Sequence, residues 1–151
     1  MKIPLTVGKL FPGEERLFPL VFVVVTPSKH PSIRIPTNAL VDTGSGRSCI
    51  APRDIIKTRI SYKTLPPATP RHIRIGGSAL PAFDLGSALL AFRDENGAKA
   101  QFEVSAMNVL GIPLGKDGVE HIPTIIGNDF LEDNGFALVF NPSKKEAYLE
   151  K

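Results

Sequence analysis

An all-β fold is predicted by three features of the sequence. Fourteen prolines and thirteen glycines stand against no tryptophan in 151 residues, which calls for many turns. The longest apolar segment is a β-branched run, and turn-forming pairs such as Pro12-Gly13 and Asn96-Gly97 divide the chain at short intervals. Hydrophobic residues at 42% and charged residues at 22% suit one soluble domain over 1–151 and are too apolar for a disordered chain.

The predicted elements follow in order. Lys2 to Leu10 is extended and ends at the Pro12-Gly13 turn. Leu20-Val21-Phe22-Val23-Val24-Val25 is continuously apolar and predicts a strand buried on both faces, closed by Pro27 and Pro31. Ile33 to Val41, interrupted by Pro36, is a further extended segment that launches the polar loop Asp42-Thr43-Gly44-Ser45-Gly46. Pro52 at a first helical position, with Asp54 in the first turn and Ile55, Ile56 and Ile60 behind, predicts a short helix. Ser61 to Pro70 carries three prolines and reads as an exposed connection. Arg71 to Ile75, Gly76-Gly77-Ser78 and Ala79 to Leu85 read as a hairpin with a glycine tip, followed by strands at Ser87 to Phe92 and Lys99 to Val109. A Gly- and Pro-rich loop occupies Gly111 to Pro123. Thr124 to Gly127 then predicts a buried strand, Asn128 to Asn134 a short helix capped by Gly135, and Phe136 to Phe140 with Glu146 to Leu149 a final hairpin.

Charge and composition exclude several function classes. Lys and Arg exceed Asp and Glu by three, and the basic residues are scattered without interleaved aromatics, so no nucleic-acid partner is expected. The apolar run from Leu17 to Val25 is far short of the ~20 residues that span a membrane. Glu14 and Glu15 before it do not fit a signal peptide, so the expectation is a cytoplasmic protein without a membrane partner. Cys49 stands alone, which rules out an intrachain disulfide framework, and with no neighbouring base it reads as a small buried hydrophobe. His30, His72 and His121 lack metal-ligand spacing, and Gly44-Ser45-Gly46 lacks the lysine of a phosphate loop, so neither metal nor cofactor is expected.

Two short motifs carry chemistry. Ala39-Leu40-Val41 delivers Asp42-Thr43-Gly44-Ser45, and a second apolar-apolar-Gly element, Ile125-Ile126-Gly127, leads into Asn128-Asp129-Phe130-Leu131. With the glycine-tipped hairpin between them, this order resembles the retropepsin-like aspartic proteases. The resemblance implies a single-domain closed β-barrel of the acid-protease type with one or two short helices. It implies a flap at Ile75, Gly76, Gly77 and Ser78 that closes on substrate, where the residues by themselves fit an ordinary tight turn equally, and a late strand ending at Gly127 that crosses behind the catalytic loop. Thr43 would cross-link two such loops and hold the carboxyls coplanar. The stretch from Gly111 to Pro123 is longer and richer in Gly, Pro and charge than the compact retroviral pattern.

The chemistry of Asp42 follows from acid–base requirements. Hydrolysis by water needs one group to take a proton and another to give one, and two carboxyls roughly 3 Å apart share a proton and divide those roles. That shared proton is the established behaviour of the aspartic protease class. None of Asp54, Asp84, Asp94, Asp117, Asp129 or Asp133 lies in a second such loop, so the partner carboxyl must be Asp42 of another subunit on a two-fold axis. Gly44 lets a backbone amide approach the carboxylate, Ser45 can donate a further hydrogen bond to it, and Gly127 lies where a side chain would collide. Asp129 reads as a helix-start residue. The expected activity is that of a homodimeric aspartic endopeptidase acting on peptides or proteins. The alternative is a catalytically silent dimeric peptide-binding module on the same fold. The initial methionine argues mildly against a domain released from a precursor.

Overall fold

The structure is a computed structural model that describes residues 1–75, 77–112 and 119–151. Its strands are β1 (Lys2–Pro4), β2 (Thr6–Gly8), β3 (Phe18–Pro27), β4 (Ile35–Val41), β5 (Cys49–Ile50), β6 (Pro67–Ile75), β7 (Ser78–Arg93), β8 (Lys99–Leu110), β9 (Ile125–Ile126), β10 (Ala137–Asn141) and β11 (Glu146–Glu150). The helices are α1 (Pro52–Ile55) and α2 (Asn128–Asn134), with 3-10 turns at Tyr62–Thr64, Val119–His121 and Pro142–Lys144. The fold is therefore all-β, as predicted, with two short helices among the described residues.

One sheet runs β2-β3-β4-β9-β5-β8-β7-β6, and β3 pairs with β7 as well, so the ladder from β3 through β4, β9, β5, β8 and β7 returns on itself. A second sheet, β1-β11-β10, joins the two ends of the chain. Alternation along the strands sends one set of side chains into the ring: Val21, Val23 and Val25 from β3, Ala39 and Val41 from β4, Leu90 from β7 and Val104 from β8 are all buried. Helix α2 closes one side by inserting Phe130, fully buried, against Phe92 and Phe136 at ring separations of 5.7 and 5.8 Å. It ends at Gly135, whose φ of 69° supplies the left-handed cap predicted for that position.

Three expectations change. β3 is fully buried on its inner face only: pairing to β4 and β7 turns alternate residues outward, where Phe22 is 59% exposed and Leu20, Val24 and Thr26 are half-buried. The two strands expected on either side of Gly86 are one strand, β7. A bulge absorbs the irregularity, with Gly86 at φ +84° and its N–H donating to Asp84 Oδ1 at 2.8 Å, so pairing with β8 continues beyond it. β6 starts at Pro67, inside the proline-rich segment expected to be an exposed connection, because Pro67 finds a partner in Phe83 before the pairing shifts register toward His72.

Helix α1 is held by a buried polar cluster. Asp54 Oδ2 accepts from the hydroxyls of Thr37 on β4 at 2.8 Å and of Thr124, just before β9, at 2.7 Å, and Thr124 Oγ1 accepts from the Ala51 N–H at 3.0 Å. Three segments that position the Asp42 loop are thereby joined without exposing a polar atom.

Candidate active site

β4 and β9 run parallel, with Val41 beside Ile126, and the Asp42 N–H donates to the Ile126 carbonyl at 3.0 Å. Asp42 thus leaves the sheet from a clamped strand end. The chain then turns tightly: the Gly44 N–H donates to Asp42 Oδ1 at 2.9 Å, and the Ser45 N–H donates to the Asp42 carbonyl at 3.1 Å. A Cβ on Gly44 would lie 3.1 Å from that same Oδ1, which is the crowding the glycine avoids. Asp42 is half-buried and Thr43 beside it is exposed, its hydroxyl making no side-chain hydrogen bond among the described residues.

Ser45 departs from its expected role. Its hydroxyl donates to the Arg47 carbonyl at 2.8 Å, and a hydroxyl has one proton to give, so the carboxylate receives none from it. The turn that presents Gly44 N–H to Asp42 points the next side chain toward the returning loop instead.

Gly127 packs against the backbone of the loop that follows Asp42. A Cβ there would meet Arg47 O at 2.6 Å, Arg47 C at 2.7 Å and Ser45 O at 2.8 Å, all of them backbone atoms. The close approach lets Asn128 N–H donate to Ser45 O at 2.7 Å and Gly127 N–H donate to Ser48 Oγ at 3.0 Å. Ser48 and Asp129 complete this brace and were not singled out for it by sequence. The Ser48 hydroxyl donates to Asp129 Oδ1 at 2.7 Å and its N–H donates to Oδ2 at 3.1 Å. An apolar-apolar-Gly strand followed by a small polar residue and an acid is the only local trace of it, since the two partners are 81 residues apart.

The Asp42 loop forms one wall of a cleft of about 640 Å³. Pro70, Ile73, Arg74 and Ile75 of β6 face it from the hairpin, and Leu40 and Ile125 lie between. The structure therefore brings Ile75 of the expected flap to the same cleft as Asp42, whereas Gly77 and Ser78 sit at the hairpin tip, outside the lining. Gly77 has φ +81°, the left-handed conformation the tight turn requires. Gly76 lies outside the described residues, as do 113–118 of the expected loop from Gly111 to Pro123. Arg47 and Arg74 also line the cleft, and neither forms an ion pair among the described residues.

Cys49 is fully buried directly beyond this loop, and burial followed by the nearby Asp129 charge pushes its thiol up to about 12, which removes it as a nucleophile. Among the described residues no three of His, Cys, Asp and Glu gather as metal ligands, and no helix is long and apolar enough to cross a membrane.

No protein-family model matches the chain, and no curated protein does. Among solved structures it is similar to a retropepsin-like aspartic protease from Rickettsia conorii, at 15% identity and a TM-score of 0.53, over 99% of this chain and 90% of that one. The chain has a retropepsin-like fold. It is also similar to EIAV protease, solved in complex with the inhibitor HBY-793, at 22% identity and a TM-score of 0.47 over 86% of this chain and 98% of that one. In this retropepsin-like chain the Asp-Thr-Gly loop follows β4, the glycine-tipped hairpin is β6–β7, and the strand ending at Gly127 is β9.

Proposed function

We propose that the chain is an aspartic endopeptidase that hydrolyses peptide bonds as a two-fold homodimer, with Asp42 of each subunit at a shared centre. The observation that carries this reading is the Asp42 carboxylate, held by the Gly44 N–H at 2.9 Å at the wall of a cleft opposite a hairpin. One carboxylate of the pair takes a proton from water as its oxygen attacks the scissile carbonyl carbon, and the other gives its proton to the carbonyl oxygen. Collapse of the resulting diol expels the amine, which leaves with a proton, and the pair is again singly protonated. The step calls on no metal or organic cofactor.

Dimerisation is supported by what surrounds Thr43. It is exposed beside a hollow of about 220 Å³ lined by Phe18, Leu138 and Phe140, and β10, which carries the last two, is an edge strand of its sheet. A second copy over this surface would cover an apolar hollow and bring Thr43 to Thr43. The β6–β7 hairpin, with Ile75 toward the cleft, is the flap that covers an extended peptide and excludes water. A single buried thiol needs no oxidising compartment, in keeping with a cytoplasmic enzyme.

Digestion of a peptide library over about pH 3 to 9, a range that spans carboxylate titration, followed by mass spectrometry tests the reading. Cleavage that disappears in Asp42→Asn with the dimer intact is expected. Peptide binding that survives the substitution, with no products at any pH, would instead identify a binding module.

A further inference from the structure

The outer face of β3 carries a second hollow, away from Asp42. Val24 is paired with Ala91 and Thr26 with Leu89, and two residues further along each strand stand Phe22 and Arg93. These side chains floor a hollow of about 430 Å³, in which Phe22 is 59% and Leu89 40% exposed. A continuously apolar strand ordinarily has cover on both faces. β3 has full cover on one, and its outer face is left partly open at Phe22 and Leu89 among the described residues.

Charge says what suits it. Arg34, Arg93 and Lys99 line the hollow, and no acidic residue does. Arg93 and Lys99 are direct cross-strand partners, an arrangement of like charges that is unfavourable unless an anion lies between or above them. Neither they nor Arg34 form an ion pair among the described residues, and the one side-chain hydrogen bond of the three goes from Arg93 to the neutral Gly97 carbonyl at 3.2 Å. Glu103, opposite Leu89 on β8, is outside the lining.

The cations are also far apart. Val25 is paired with Ile35, so Arg34 is level with Thr26, four residues along β3 from the level of Arg93, and two strands across from it. With strand rise and spacing of about 3.3 and 4.8 Å, the two backbones are about 16 Å apart at diagonal corners of the apolar floor. One carboxylate cannot serve both corners. An extended segment of five or six residues spans that distance, which disfavours a fatty acid and favours a peptide.

We propose that this face is a docking site for an acidic, apolar peptide segment of another protein, its apolar side chains over Phe22, Val24 and Leu89 and its carboxylates toward Arg34 at one end and Arg93 and Lys99 at the other. The site is independent of cleavage at Asp42.

The test uses the full chain carrying Asp42→Asn and a fluorescein-labelled peptide with two glutamates at each end of a Leu-Phe-Leu centre, compared by anisotropy with its glutamine counterpart. At about 50 mM salt the glutamate peptide should bind at least about tenfold more tightly, with the difference shrinking as salt rises. Arg34→Glu and Lys99→Glu, both at exposed positions, should together remove about tenfold or more of that affinity, while Arg47→Glu in the cleft leaves it unchanged. Equal binding of the two peptides, or loss with Arg47→Glu instead, overturns the proposal. So does oleate binding without peptide binding, or self-association abolished by Phe22→Ser without peptide binding, which would assign the face to a lipid or to a second copy.

Discussion

Replacing Gly127 by alanine perturbs the brace behind the Asp42 loop at its tightest point. Gly127 has φ −93° and ψ −175°, extended backbone open to any residue, so the cost is steric and not conformational. The added Cβ would lie 2.6 Å from Arg47 O, and reaching the 3.4 Å of ordinary contact requires a shift of about 0.8 Å (3.4 minus 2.6) by backbone on one side or the other. That shift strains or breaks the hydrogen bonds from Asn128 to Ser45 and from Gly127 to Ser48, each worth about 1 kcal/mol, on top of an overpacking penalty of about 1–3 kcal/mol. A smaller unfolded-state gain from Gly→Ala offsets part of this, leaving a loss of about 3 kcal/mol, or about 6–12 °C in Tm for a chain of this size. Gly46→Ala is the control: it lies in the same loop, has nothing within 4 Å of its Cβ, and should change stability by about 0.5 kcal/mol or less. Urea unfolding of both variants, monitored by circular dichroism, reads the difference. Wild-type stability in Gly127→Ala, or an equal loss in Gly46→Ala, would mean that the contact at Arg47 O does not limit the site.

Asp129→Ala leaves the N–H and hydroxyl of fully buried Ser48 without acceptors and should cost about 2–3 kcal/mol in the same urea assay, with Asp129→Asn losing less. Asp54→Ala orphans the buried hydroxyls of Thr37 and Thr124 and should cost about 2–4 kcal/mol, read as a lowered Tm by scanning calorimetry. Cys49 should resist a thiol reagent at pH 8 in the native protein and react fully in denaturant. Because folding raises its thiol from 9.0 to about 12, the unfolded chain releases that proton first, and stability should fall as pH rises from about 9 to 12.

What was legible in the sequence was what depends on neighbours along the chain. Asp42-Thr43-Gly44 after Ala39-Leu40-Val41, the Gly77 turn and the Gly135 cap each follow from local conformation, and each lies where it was expected. Gly127 was legible only because a second apolar-apolar-Gly element paired with the first. Features set by contacts distant in sequence were hidden. The Gly86 bulge exists in the register between β7 and β8, so an isolated reading breaks the strand there. The Ser48–Asp129 and Asp54–Thr124 bonds join residues 81 and 70 positions apart, and nothing local distinguishes those acids from ordinary helix-start residues. Hydroxyl direction is equally hidden: Ser45 follows the motif in type but gives its proton to Arg47. The apolar run of β3 carried a different message, since its outer half is the partly open patch around Phe22 and not a second core face.

In the proposed mechanism Asp42 acts only in company with Asp42 of a second chain, and mixing the two kinds of subunit reads that dependence out. Wild-type and Asp42→Asn chains are combined in varied proportion, allowed to exchange, and assayed at fixed total concentration on a cleaved peptide. If both carboxyls are required, activity follows the square of the wild-type fraction, about one quarter at equal proportions. Activity proportional to that fraction, about one half at equal proportions, would mean that each chain cuts with its own aspartate alone and would rule out a shared centre.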